Sequence, residues 1–113
     1  MMIEASSDFF SVEETKKLLK NKEAILIDIR EDIEIQIEGQ AKDSIHIPFS
    51  LFHDPQNLDS ILLQLDKNKT LILYCKSGQR SAALAEFFKS IGYKAENMGG
   101  LRDWIAAGGE VLK

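Results

Sequence analysis

The chain has 113 residues, 44% apolar and 28% charged, which suits one soluble domain with one modest core. Its 14 Lys and Arg against 18 Asp and Glu leave a net charge of −4, so it lacks the general attraction to phosphate backbones that nucleic-acid binding draws on. No segment approaches the roughly 20 apolar residues of a membrane span.

Residues 1–10 carry neither the basic start nor the apolar run of a signal peptide. One cysteine allows no internal disulfide, and the expectation is a cytoplasmic protein. A lone cysteine is by default a small buried apolar residue. Its neighbours decide the matter.

Ser11-Val12-Glu13-Glu14 reads as a capping box opening a helix that ends near Asn21, with Val12, Leu18 and Leu19 turned inward. The basic pair Lys16-Lys17 reads as part of its solvated face. Ala24 to Asp28 is a short apolar run, the pattern of a strand buried on both faces. Over 31–44, Ile33, Ile35 and Ile37 alternate with polar residues, which by period says strand; the polar run around Gly39 leaves a loop or short helix open. Ser44 to Ile47 is a further strand, stopped by Pro48. Leu58, Ile61, Leu62 and Leu65 have the spacing of an amphipathic helix.

Thr70 to Tyr74 is the strongest strand and the expected centre of a parallel sheet. A helix is predicted over Ser81 to Ile91, with Leu84, Phe88 and Ile91 on one face and Gly92 as its stop. A last strand over Tyr93 to Met98, a tight turn at Gly99-Gly100 and a short helix over Leu101 to Ala107 complete the chain. Alternating helices and strands indicate an α/β layered domain.

The chemistry concentrates in Cys75-Lys76-Ser77-Gly78-Gln79-Arg80, between the central strand and the helix at Ser81. Open α/β sheets bind ligands beyond the carboxyl ends of their strands. A loop there can turn successive N–H groups onto one point, and Gly78 permits the curl. The helix start, Lys76 and Arg80 add positive charge. Such a setting favours an anion and predicts that Cys75 is a nucleophilic thiolate at neutral pH, against a free-thiol pKa of about 8.5.

Cys-x-x-Gly-x-Arg-Ser at 75–81 resembles the active-site loop of the rhodanese family. Three more segments agree in order: Asp28-Ile29-Arg30-Glu31, Ile45-His46-Ile47-Pro48, and Gly99-Gly100 followed by Trp104 and Gly108. The resemblance runs from about Phe9 to Val111 and implies a single rhodanese-like domain over 1–113. It implies a three-layer architecture, a mostly parallel five-stranded sheet with helices on both faces. It also implies sulfur transfer: Cys75 takes the outer sulfur of thiosulfate or of a protein or small persulfide, then passes it to cyanide or a thiol. Lys76, Ser77, Gly78, Gln79, Arg80 and Ser81 would hold the persulfide and the anionic donor. Asp28 and Arg30 either face the same pocket or brace it through ion pairs. No metal or organic cofactor is implied, since no cluster has ligand spacing. The expected partners are a small anionic donor and, in a relay, a protein donor or acceptor; neither nucleic acid nor membrane is expected.

One stretch departs. Where the family reads Gly-His-Ile-Pro-Gly-Ala, this chain has Gly39-Gln40-Ala41-Lys42-Asp43-Ser44, which bears on substrate preference. His46 and His53 have no partner at triad spacing and read as structural or surface residues, Trp104 as a core anchor, Tyr74 as a packed residue. Two rivals remain. A phosphatase or arsenate reductase would use a Cys-x5-Arg loop, whereas four residues separate Cys75 from Arg80 here. A docking or redox-relay module on the same fold would look alike, although inactive copies usually lack the cysteine.

Overall fold

A computed structural model describes residues 9–113. Four parallel strands form the central sheet: β1 (Ala24–Asp28), β3 (Ser44–His46), β4 (Thr70–Cys75) and β5 (Ala95–Gly100), in the order β3-β1-β4-β5. Five α-helices accompany them: α1 (Val12–Lys20), α2 (Asp32–Glu38), α3 (Pro55–Gln64), α4 (Gln79–Ser90) and α5 (Leu101–Ala106). Two-residue strands β2 (Gln40–Ala41) and β6 (Val111–Leu112) pair antiparallel, apart from the sheet.

The period-2 alternation of the strands divides the core in two. Ile27, Ile29, Leu71, Leu73 and Cys75 face α3 and α4, where Ile61, Leu65, Leu84, Ala85 and Phe88 cover them. Leu26, Ile72 and Tyr74 face the other way, against Val12 of α1 and Leu101 and Trp104 of α5. Leu71, Ile72, Leu73, Tyr74 and Cys75 are all fully buried, as a central strand sandwiched between helical layers must be.

The described sheet has four strands, one fewer than the resemblance implies. Two stretches come close to joining it. The Ala41 N–H of β2 donates to the Tyr74 hydroxyl, a side chain, instead of a strand carbonyl. Beyond β5, the Phe10 N–H donates to the Asn97 carbonyl along the outer edge of the strand.

Within the 31–44 stretch, residues 32–38 form the helix α2, followed by β2, a turn and the start of β3. At the start of α2 the Glu34 carboxylate reaches back to accept from the Glu31 N–H, while the Glu31 carboxylate accepts from Ser50. The alternating isoleucines bury nothing in common: Ile33 and Ile37 are mostly exposed. The expected turn at Gly99-Gly100 instead belongs to β5, where Tyr74 pairs with Gly99 and Cys75 with Gly100 after a bulge that skips Met98. α4 opens at Gln79, two residues ahead of the expected Ser81.

The Cys75 loop and the networks around it

β4 ends at Cys75, and the loop after it closes within three residues. Gly78 makes this possible with φ at +95°, and it forms the N-cap of α4 without a capping side chain. The first amides of α4 therefore lack the usual side-chain partner, and the sulfur takes that place. Gly78 N–H donates to Cys75 Sγ at 3.1 Å, and Ser81 Oγ lies 3.4 Å from it. A side chain at Gly78 would collide with the ring of Phe9, which covers the back of the loop: an ideal Cβ there sits 2.8 Å from the ring.

Cys75 itself is fully buried, while Lys76, Ser77 and Gln79 around it are exposed. Burial raises the thiol pKa, but the Ser81 hydroxyl and the Ser81, Gly78 and Ser77 amides outweigh it and hold it below the ordinary thiol value. The loop and helix start thus bring Cys75, Ser77, Gly78 and Ser81 together around one sulfur atom.

The two cations part company. Arg80 is gripped by Glu34 of α2 through two parallel bonds of 3.0 Å each. The guanidinium fork of Arg80 is thus paired with a carboxylate of the same chain. Lys76 makes no ion pair among the described residues and lines a shallow groove of about 420 Å³ with Arg102, Lys113 and the apolar Ile37 and Ile105.

Asp28 and Arg30 stand on the opposite side of the sheet from Cys75. Both are fully buried and joined at 2.8 Å. Arg30 also reaches Glu38 and the Gly39 carbonyl, while Asp28 accepts a hydrogen bond from the Tyr74 hydroxyl. Burial works against the charge of Arg30, and the bonds and charge of Asp28 outweigh it. None of these polar groups is bonded to Cys75; their bonds tie α2 and β2 to the sheet.

The altered 39–44 stretch, joined to the fold through Arg30, Tyr74 and β6, also carries bonds of its own. Gln40 Nε2 donates to Ser44 O and Oγ, and Ser44 Oγ donates to Ala41 O. His46 Nε2 meets the Arg30 carbonyl at 2.7 Å, and the His53 ring packs edge-on against Phe49, so both histidines serve structure.

Two residues at the site escaped sequence reasoning. Glu34 is 46 positions from Arg80, and nothing local marks it as a partner. Asn97 of β5 accepts from Ser81 Oγ at 2.7 Å and donates to Gly78 O at 3.0 Å, bracing the loop from behind. A polar side chain one residue before Met98-Gly99-Gly100 was the only hint.

The Rhodanese-like domain family model matches residues 11–107. YtwF of Bacillus subtilis, a candidate sulfurtransferase by name, is 32% identical over 79% of this chain and 81% of its own. A thiosulfate:glutathione sulfurtransferase of Saccharomyces cerevisiae is 29% identical, over 91% of this chain and 81% of its own. A tRNA uridine(34) hydroxylase of Hamiltonella defensa is 25% identical over 79% of this chain but only 25% of its own length. Among solved structures, a rhodanese-related protein from Thermoplasma volcanium superposes with a TM-score of 0.73, 27% identical, over 92% of this chain and 96% of that one.

Proposed function

The chain belongs to the rhodanese-like domain family, and from that premise we propose that it is a sulfurtransferase whose Cys75 carries sulfane sulfur as a persulfide. The observation that carries this reading is the Gly78 N–H aimed at Cys75 Sγ at 3.1 Å, with the Ser81 hydroxyl beside it. The Gly78 N–H already points at the sulfur, favours its anion and needs no rearrangement when charge arrives.

The reaction proceeds in two displacements. The Cys75 thiolate attacks the outer sulfur of thiosulfate; the S–S bond to the sulfonate breaks and sulfite leaves with the electron pair. Cys75–S–S⁻ remains, its terminal sulfur held by loop amides. An acceptor anion, cyanide in an assay or a thiolate in the cell, then attacks that terminal sulfur and Cys75 leaves as thiolate. Covalent catalysis divides one transfer into two lower barriers. Lys76, with no ion pair of its own among the described residues, attracts the anionic donor.

Full burial of Cys75 sets a steric condition on the donor. A phosphatase reading needs the loop arginine free for a phosphoryl group, and Arg80 is bound to Glu34.

Incubation with thiosulfate followed by intact-mass measurement tests the proposal. The mass should rise by one sulfur atom, return on adding cyanide with thiocyanate formed, and stay constant in Cys75→Ala. An unchanged mass in the wild-type chain overturns the thiosulfate reading.

A further inference from the structure

The Ser81 hydroxyl stands between two acceptors and has one proton to give. Its Oγ is 3.4 Å from Cys75 Sγ and 2.7 Å from Asn97 Oδ1. The Asn97 amide is oriented by two other bonds: Gly99 N–H donates to Oδ1 at 3.0 Å, and Nδ2 donates to Gly78 O at 3.0 Å. Turning the amide over would set NH₂ against the Gly99 N–H and oxygen against the Gly78 carbonyl, so the atom facing Ser81 is the oxygen. The hydrogen in that contact therefore belongs to Ser81.

With its hydroxyl turned to Asn97, Ser81 can only accept from Cys75, the arrangement of a neutral thiol. A thiolate or persulfide anion needs the hydroxyl turned toward sulfur. Asn97 Oδ1 is not orphaned by that turn, because Gly99 N–H still donates to it. The same amide holds the carbonyl of Gly78, whose N–H donates to the sulfur.

We propose that Asn97 is the positioning residue of the Cys75 site: its amide fixes the Gly78 peptide against the sulfur and gives the Ser81 hydroxyl a second acceptor, from which it turns to Cys75 when the sulfur becomes an anion. This rests on Cys75 being the reacting sulfur. Among the described residues, the charged groups around the site are Arg80 of α4 paired with Glu34 of α2, Glu31 beside them, Lys76 in the loop, and Asp103 of α5, whose carboxylate accepts from Gly100 N–H. Arg80 and Glu34 offset one another, and Asp103 is held by the backbone, leaving the hydroxyl as the adjustable group.

The test is alkylation of the whole chain by iodoacetamide across pH, comparing wild type with Asn97→Asp. A carboxylate holds the Ser81 proton more firmly, adds negative charge beside the sulfur and cannot donate to Gly78 O. Alkylation at neutral pH should slow about tenfold, the effect of one unit of thiol pKa. Rates should converge at alkaline pH, where the thiol is fully ionised. A merely disordered loop would lower the alkaline limit as well, and that result, or an unchanged profile, overturns the proposal.

A second measurement needs no variant at Asn97. The Asn97 side-chain NH₂ and Gly99 amide NMR signals should titrate with the Cys75 alkylation pKa, and stop doing so in Cys75→Ala. Signals that stay still in the wild-type chain overturn it too. Neither readout involves sulfur transfer, so a chain that takes no sulfur from thiosulfate can still pass both, and one that fails both can still transfer sulfur.

Discussion

Glu34 and Arg80 lock α2 to the first turn of α4 through a two-pronged ion pair, each prong 3.0 Å long. The pair is partly exposed, at 21% and 30% of side-chain surface, so its worth is that of a screened bridge with good geometry. It also determines what charge Cys75 meets, because an Arg80 held by a carboxylate offers the sulfur little net field.

Replacing Glu34 by Gln separates these roles. Urea denaturation at neutral pH should show a loss of about 1 kcal/mol. Arg80 would then present its full charge to the sulfur, and Cys75 should alkylate at neutral pH no more slowly than in wild type. Slower alkylation would mean the clamp is needed to shape the loop. The hydrogen bond from Arg80, against opposing burial, holds the Glu34 pKa below the ordinary glutamate value. Its contribution is therefore complete above that ordinary value and is lost as pH falls through the lowered one. The stability gap between wild type and Glu34→Gln should close in acid.

Tyr74→Phe probes the opposite face of β4. The Tyr74 hydroxyl donates to Asp28 and accepts from Ala41 N–H, and burial together with the Asp28 charge pushes its pKa well above the usual phenol. Without it, a buried amide and a buried carboxylate oxygen each lose a partner, at a cost of roughly 1–3 kcal/mol. The Cys75 alkylation rate should stay unchanged, since Cys75 belongs to the other core. A denaturation midpoint that does not move would show that Ala41 and Asp28 find other partners.

How much of this was legible follows from where the determinants lie. β1, β3, β4, α3 and α4 announce themselves because each carries its own burial pattern and stop signals, such as the apolar run at 71–73 or Pro48. α2 does not, because its isoleucines lie largely outside the core and its ends are held by Glu31, Glu34 and the Glu38–Arg30 contact. β2 and β6 are two residues each, too short for any period, and exist through each other and Tyr74. The Cys75 loop was readable because its glycine, cations and cysteine are consecutive. Its supports, Glu34 and Asn97, come from a helix and a strand distant in sequence, so the partner of Arg80 could not be seen.

Lys22 offers a stabilising change far from the site. It follows α1 with φ at +60°, a left-handed conformation that suits glycine. Its N–H reaches Leu19 O and that of Glu23 reaches Leu18 O, the two bonds of a Schellman stop. Lys22→Gly relieves the strain while adding freedom to the unfolded chain, for a net gain of about 0.5–1 kcal/mol. Thermal unfolding should shift upward with alkylation of Cys75 unaltered; a lower midpoint would mean the lysine conformation carries no strain.

Cys75 should leave its own mark on stability. The Ser81 hydroxyl and loop amides, against opposing burial, set its folded pKa below that of the unfolded thiol. Between those two values the unfolded chain binds the extra proton, so stability rises with pH. The contribution is complete above the unfolded pKa and lost as pH falls through the folded one. Compared with Cys75→Ser, which keeps size and polarity but does not ionise, the wild-type chain should gain relative stability from neutral toward alkaline pH. Urea midpoints for both chains at several pH values between 6 and 10 measure this directly, the range bracketing the free thiol at about 8.5. Parallel curves would mean that the sulfur is no more anionic folded than unfolded, and the donors around it would then serve only to pack the loop.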